Sequence, residues 1–526
     1  MSAEGLLAAG WWSPSVVRRL DPKPDLRGAT EQALTEGGDA RIALSEGGLN
    51  QYGCKPHPDE SIIALGSSTA SVISEAGFQA ATALHARLLA NPGSADRELR
   101  RLRRSVLELS GAVDVAGTEA VLAASGTDLH LFATQIIASF GAEPLQTVMA
   151  EPNETGSGVP AALSAIHFST VTCQGVRVQK GLPVTERLLP PPLAVRLRRE
   201  DGTLRCGREV DAEFESHAKS AIRSGGRCLL VLTDLSKTGL MAPSPACAVR
   251  LLDRFAGKLD VLVDACQFRL APATVRAYLE HGFTVAITGS KFVTGPAFCG
   301  ALLLPPATAT CARTVVLRSL QRYSARGHWP DGWPSASALT SVPNVGLMLR
   351  WEAALSELAR FRAVPEPIVE SFLATWGAAV ADRLSADPAF EALPVAPIDR
   401  TAIDSERRWD RLQTIFPFLA LGRRVDGKRV ALGRAETLLL HQRMQRGGSS
   451  ELGLCHAPAA AARIQLGQPV PCGTKNGVQV SALRVCVSAR WVVEAAAAPQ
   501  GASWAIGQAM LALDKVALVA AGEIPV

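Results

Sequence analysis

Leu259-Asp260-Val261-Leu262-Val263-Asp264-Ala265-Cys266-Gln267 is an apolar run that ends on a carboxylate, with an amide three residues later. A strand covered by helices on both faces has no polar side to show, so it reads as continuous hydrophobe rather than as alternation. Working outward, the same pattern recurs. Upstream stand Cys228-Leu-Leu-Val-Leu-Thr233 and a helical stretch near 246–257; downstream stand a helical stretch near 272–281 and the strand Thr284–Thr288. Further upstream are the strand Leu145–Ala150 and the short strand Val121–Ala124. The latter runs through Ser125-Gly126-Thr127-Asp128 into an apolar helix, Leu129–Phe140. Apolar strands that alternate with helices indicate an α/β domain built on a buried parallel sheet.

Around that core the chain divides into three parts. Residues 1–60 hold many Gly, Pro and charged residues and read as an N-terminal arm with short helices. Residues 61–345 form the large α/β domain, opening with helical periodicity from Ser67 to Leu109 and interrupted by an insertion of hairpins over 164–215. Asp201-Gly202 supplies the turn signal of one such hairpin, Val195–Arg205. A long linking helix, Asn344 to Arg362, leads into residues 346–526, a smaller α+β unit.

Composition excludes several classes. Hydrophobic residues make up 47% and charged residues 20% of the 526, values of an ordinary globular enzyme and not of a disordered chain. A formal charge of +5 over such a length gives no basis for a nucleic-acid partner, and Arg97–Arg104 reads as the polar face of a helix. The first residues lack the basic and apolar regions of a secretory signal, and no run of about 18 uninterrupted apolar residues suggests a spanning helix or a membrane partner. The 11 Cys are odd in number and contain no Cys-x-x-Cys pair, which fits reduced thiols in a cytoplasm better than disulfides or structural zinc.

Three segments at the ends of the parallel strands carry chemistry, since open α/β sheets place ligands there. Ser125-Gly126-Thr127 opens a helix, where backbone N–H groups and hydroxyls make an anion site, although a Ser there is also an ordinary cap. Asp264 is delivered to a strand end, where it suits either an ion pair or catalysis. Lys291 follows Thr288-Gly289-Ser290 directly. An amine desolvated there suits covalent catalysis with a carbonyl, and its alternative is a lysine reaching to the surface. Together an anion cradle, a carboxylate and an amine 27 residues after it match what pyridoxal phosphate requires: donors for the phosphate, a carboxylate for the pyridine nitrogen, and an amine for the aldehyde.

At these residues the chain resembles the pyridoxal-phosphate enzymes of fold type I, and within them the class-V aminotransferase and cysteine desulfurase family. That family carries an Asp-Ala-x-Gln strand end, then a lysine segment followed by Gly-Pro-x-Gly. Here stand Asp264-Ala265-Cys266-Gln267, then Thr288-Gly289-Ser290-Lys291, Gly295-Pro296 and Gly300. The resemblance implies a large domain with a mainly parallel seven-stranded sheet, a smaller C-terminal α+β domain, and a homodimer. It implies that Lys291 forms the Schiff base with pyridoxal 5'-phosphate and that Asp264 pairs with the pyridinium. Gln267 would sit near the phenolic oxygen, Ser125, Gly126 and Thr127 would hold the phosphate with Thr288 and Ser290 closing over it, and Ser236 would stand beside the ring. Ser341-Val342-Pro343-Asn344-Val345 is similar to the family's turn that reaches the partner subunit. Arg484, in Ala482-Leu-Arg484-Val-Cys486, matches the strand whose guanidinium clamps a substrate carboxylate; its alternative is a strand-edge ion pair.

Two departures stand out. Ser290 replaces the His that precedes the family's lysine. The stretch Glu151–Gly158, where a ring should stack on the cofactor, contains none, leaving Glu154 or Thr155 to lie over the pyridine. Two reactions follow from the resemblance, so the chain reads as a transferase or a lyase acting on an amino-acid substrate. Cysteine desulfuration or related C–S cleavage would use Cys455, which follows a Gly/Ser-rich loop beside His456, where the alternative is an incidental loop thiol. Class-V-like transamination would need only Lys291 as proton carrier.

Overall fold

In this computed structural model residues 25–423, 427–447 and 458–522 are described. Its centre is a seven-stranded sheet, and the strand order follows from the chain. Glu119–Ala123, Gly300–Leu304, Thr284–Thr288, Leu259–Ala265, Arg227–Thr233, Leu145–Ala150 and Leu193–Val195 lie side by side. Gly300–Leu304 runs antiparallel to both neighbours and every other pairing is parallel. Arg227–Thr233, Thr284–Thr288 and Gly300–Leu304 are buried at every position, which is why their sequences show no alternation.

Local signals start the helices that cover the sheet. Ser125 accepts from the Asp128 N–H to cap Gly126–Ala138, and Ser244 with Pro245 behind it opens Pro245–Arg254. Asn344 caps the long linking helix Val345–Arg362 by accepting from Leu347. Its amide also donates to the Gly37 carbonyl at 2.8 Å.

The second sheet runs Ile62–Leu65, Arg463–Lys475, Val478–Cys486, Ile415–Arg423 and Arg429–Ala431, with Phe390–Ala392 also paired to Ile415–Arg423. Ile62–Leu65 pairs in parallel with Arg463–Leu466. The start of the segment assigned by sequence to the large domain is therefore hydrogen-bonded into the smaller one. The continuous helical periodicity expected from Ser67 also breaks. Ser67–Ile73 is irregular, and two helices follow, Glu75–Ala90 and Ala95–Ser110, divided at Asn91-Pro92-Gly93. The 164–215 segment is a hairpin insertion only in part. Val171 bridges Arg177 and Arg198 bridges Leu204, but Leu193–Val195 joins the main sheet and Gly207–Arg223 is a helix. That helix buries Val210, Phe214 and Ala218 at four-residue spacing, a stripe hidden in sequence by its many charges.

The described part of the arm, from Asp25 onward, is packed on the rest of the chain. Its helix Leu26–Leu34 lies against Glu75–Ala90 and Val345–Arg362. Fully buried Arg350 donates to the carbonyls of Leu34, Glu36, Gly37 and Phe298. A Cβ at Gly346 would stand 2.2 Å from the Glu36 carbonyl, so only glycine lets the arm approach this closely. The last described helix, Ala502–Ala520, is long and apolar enough to cross a membrane by length and composition. It packs on Glu366–Ala386 and Ile415–Arg423 and buries Lys515, whose amine donates to backbone carbonyls of Met444, Arg446 and Ala462.

Candidate active site

A cavity of about 200 Å³ opens at the C-terminal ends of the parallel strands. At one end is an anion cradle. Ser125, Gly126 and Thr127 bring the first N–H groups of helix Gly126–Ala138 to the wall, and Arg41 reaches them from the arm. The Arg41 guanidinium donates to Thr127 Oγ1 and Ser125 Oγ, both at 3.2 Å, and lies 5.0 Å from the Phe298 ring centre. It is held from behind by Asp39, with Nε 3.0 Å from both carboxylate oxygens and Nη2 2.7 Å from Oδ2. A Cβ at Gly126 would meet Cys266 Sγ at 2.9 Å and Thr288 Cγ2 at 3.4 Å, so glycine keeps this end open. Below it, burial and then the charge of Asp39 push the Asp128 carboxyl up to about 7, against the Ser125 hydroxyl and Arg41.

The middle of the cavity holds Asp264, His130 and Lys291. His130 Nδ1 is 2.7 Å from the Gly126 carbonyl; a carbonyl only accepts, so that nitrogen carries a hydrogen. Nε2 therefore faces Asp264 Oδ2, at 3.3 Å, without a well-aligned hydrogen bond. Burial opposes ionisation of Asp264, but the His130 ring, then the Lys291 ammonium, outweigh it and hold the carboxyl below the ordinary carboxylate range. Thr288 and Ser290 line the wall beside Lys291, and the Thr288 hydroxyl donates to the Cys266 carbonyl at 2.6 Å.

The far end is cationic. Fully buried Arg484 spends three of its five N–H donors on Ser68 Oγ at 3.1 Å, Thr69 Oγ1 at 2.8 Å and the Gln468 carbonyl. One N–H on each terminal nitrogen stays available, the fork a carboxylate accepts. Lys237 also lines the cavity.

The structure thus brings Ser125, Gly126, Thr127, Asp264, Thr288, Ser290, Lys291 and Arg484 to one cavity. Ser236 and Gln267 do not line it. The Ser236 hydroxyl donates to Glu154 Oε2 at 2.6 Å and accepts from the Thr238 and Leu240 N–H groups, while the Gln267 amide donates to the Ser68 carbonyl at 3.0 Å. Glu154 and Thr155 do not line the cavity either, and Ser236 and Thr238 donate to the Glu154 carboxylate. Cys455 lies outside the described residues.

Sequence reading missed Arg41, His130, Lys237, Ser68 and Thr69. His130 carried a signal, a lone ring in an apolar helix four residues after Gly126, within reach of that residue's carbonyl. Arg41 and Ser68 carried none, since tertiary packing alone delivers them.

No family model matches the chain, and no curated protein matches it in sequence. Among solved structures, it is similar to the cysteine desulfurase CsdA of Escherichia coli, with 15% identity and a TM-score of 0.46 over 86% of this chain and 95% of that one. It is also similar to the cystine C–S lyase C-DES in complex with its product cysteine persulfide, with 15% identity and a TM-score of 0.49 over 86% and 97%. A third similar structure is Oryza sativa TDC with PLP and tryptamine, with 13% identity and a TM-score of 0.45 over 87% and 83%.

Proposed function

We propose that the protein is a pyridoxal 5'-phosphate-dependent enzyme acting on an amino-acid substrate, with Lys291 as the amine that holds the cofactor aldehyde. The observation that carries this reading is the meeting of Lys291, Asp264 and the Arg41–Ser125–Thr127 cradle in one cavity. The residues fit the group. The cradle offers a helix N-terminus and a guanidinium to a phosphate, Gly126 leaves it room, and Asp264 is held ionised where a ring nitrogen needs a carboxylate. Bound there, the cofactor supplies an electron sink conjugated to the substrate's α-carbon.

The protein's own residues divide the remaining work. Arg484 holds the substrate carboxylate through its two remaining N–H donors and so fixes which α-substituent points at Lys291. The Lys291 amine takes and returns the α-proton. His130, anchored on the Gly126 carbonyl, stands 3.3 Å from the Asp264 carboxylate that would meet the ring nitrogen, and helps to keep that carboxylate ionised.

C–S cleavage of a sulfur amino acid is the reaction to test first, with Cys455 as sulfur acceptor. Transamination is the second reading, and one observation favours it. The thiol on the described cavity wall, Cys266, packs against Gly126, and burial leads the effects pushing it well above the ordinary thiol range, which suits it poorly to accept sulfur. A cytoplasmic homodimer belongs to the same proposal, and sedimentation reads its assembly.

The protein should bind pyridoxal phosphate and turn yellow, and Lys291→Ala should lose that absorbance. A colourless wild type that stays colourless after added cofactor sinks the proposal. Alanine formed from cysteine, with sulfide released when a thiol reductant is supplied to reduce the persulfide, by wild type but not by Cys455→Ala, supports C–S cleavage. Conversion to the pyridoxamine form by an ordinary amino acid supports transamination.

A further inference from the structure

Four cations and one carboxylate, Asp264, stand on the cavity wall, and the fourth cation has no ligand in the scheme above. Under the proposed function a phosphate occupies Arg41, the aldehyde occupies Lys291, and one carboxylate occupies Arg484. Lys237 is left over. Among the described residues its ammonium reaches a single oxygen, the Asn153 carbonyl at 3.3 Å, and forms no salt bridge.

The Glu154 carboxylate, whose charge acts on it, does not serve it. Glu154 accepts from the Ser236 hydroxyl at 2.6 Å and from the Thr238 hydroxyl at 2.7 and 2.8 Å, and its charge faces Arg198 Nε at 3.6 Å. The turn is locked in place around it, because the Lys237 N–H donates to the Glu154 carbonyl at 2.8 Å. The amine is thus presented to the cavity by a rigid backbone, next to an anion already balanced by an arginine. Burial, then the charges of Arg484 and Lys291, disfavour its ammonium, with Glu154 opposing. Lys237 lines the cavity together with Arg484 and Gln468, while the cradle already has its own guanidinium, Arg41, held by Asp39, Ser125 and Thr127. A half-buried ammonium is costly to keep without a counter-charge.

We propose that Lys237 binds a second anionic group, so that the substrate is an amino acid with an oxyanion on its side chain, a carboxylate or a sulfinate. Arg484 takes the α-carboxylate and Lys237 the distal one. This rests on the proposed function for the assignment of Lys291 and Arg41, but the pairing of Arg484 with Lys237 can be measured without turnover.

The test is calorimetric titration of the protein, with and without added pyridoxal phosphate, using succinate and propionate. Both lack an amine and cannot react; they differ by one carboxylate. A charge-assisted hydrogen bond predicts that succinate binds about 10- to 100-fold more tightly than propionate. Lys237→Met should remove most of that difference while propionate loses no comparable affinity, and Lys237→Arg should restore part of it. Equal affinities in the wild type, or equal losses for both ligands in the Met variant at unchanged melting temperature, overturn the inference. Failure of cofactor uptake is read separately, from absorbance before any carboxylate is added. If uptake fails while succinate selectivity survives and depends on Lys237, the cofactor reading falls and the paired anion site stands.

Discussion

Arg41→Met tests the cradle most directly, because the guanidinium does two jobs that separate in measurement. Toward the cavity it gives one hydrogen bond each to Thr127 and Ser125, at the place assigned to the phosphate. Hydrogen bonds to a charged group are each worth about 1.5–3 kcal/mol, so losing the equivalent of one weakens pyridoxal phosphate binding about 10- to 100-fold. Away from the cavity it neutralises Asp39, whose side chain is 3% exposed. Stranding a fully buried charge costs about 3–5 kcal/mol, and partial exposure of Arg41 reduces this to about 2 kcal/mol of global stability. Asp39→Asn in the same chain should recover most of the second loss and none of the first. The assay is a fluorescence titration with pyridoxal phosphate and with pyridoxal, which lacks the phosphate. Only the phosphorylated ligand should lose affinity. Equal loss for both, or none for either, would refute a phosphate role for Arg41.

Three further outcomes follow from the geometry. Gly126→Val drives a side chain into Cys266 and Thr288, so overpacking should cost about 1–3 kcal/mol in chemical denaturation and reduce cofactor uptake, with Cys266→Ala restoring part of both. Asp264 is held below its unfolded range; the stability it contributes is present above about pH 4 and lost as pH falls toward the folded value. Asp264→Asn should therefore show a shallower acid limb in stability against pH than wild type, and an unchanged limb contradicts the His130–Asp264 interaction. Burial, then Arg484 and Lys291, push Lys237 down to about 8 against the pull of Glu154. Its charge is present below that value and lost above it, so the preference for succinate over propionate should fall by about tenfold per unit above pH 8; a preference constant to pH 10 contradicts the assignment.

Periodicity and strand-end chemistry made the large sheet legible. Arg227–Thr233, Leu259–Ala265 and Thr284–Thr288 are buried almost throughout and reach polar residues at or just past their C-terminal ends, so Asp264, Thr288 and Lys291 announced their place by where the hydrophobic run stopped. The cap at Ser125 was legible for the same local reason. Ser236 was placed beside the ring by likeness of motif, and the structure turns its hydroxyl to Glu154, a partner 82 residues away that no local pattern indicates. Arg41, Ser68 and Thr69 come from segments of Gly, Pro and small polar residues whose positions depend on distant anchors, Arg350 for the arm and Arg463–Leu466 for the strand before Ser67. The helix Gly207–Arg223 was obscured because its three buried residues lie four apart among charges. Local rules see the ends of elements; they do not see which loop is pulled across a cavity.

The parallel pairing of Ile62–Leu65 with Arg463–Leu466 has a temporal consequence. During synthesis the first strand leaves the ribosome roughly 400 residues before its neighbour exists, and contacts of such sequence separation form late. The seven-stranded sheet is already encoded by then, but the turn that carries Ser68 and Thr69 has nothing to fasten it, and Arg484 has not been made. A nascent chain therefore holds the residues of the Ser125–Thr127 end of the cavity well before Arg484, with Ser68 and Thr69 fastened beside it, can complete the wall.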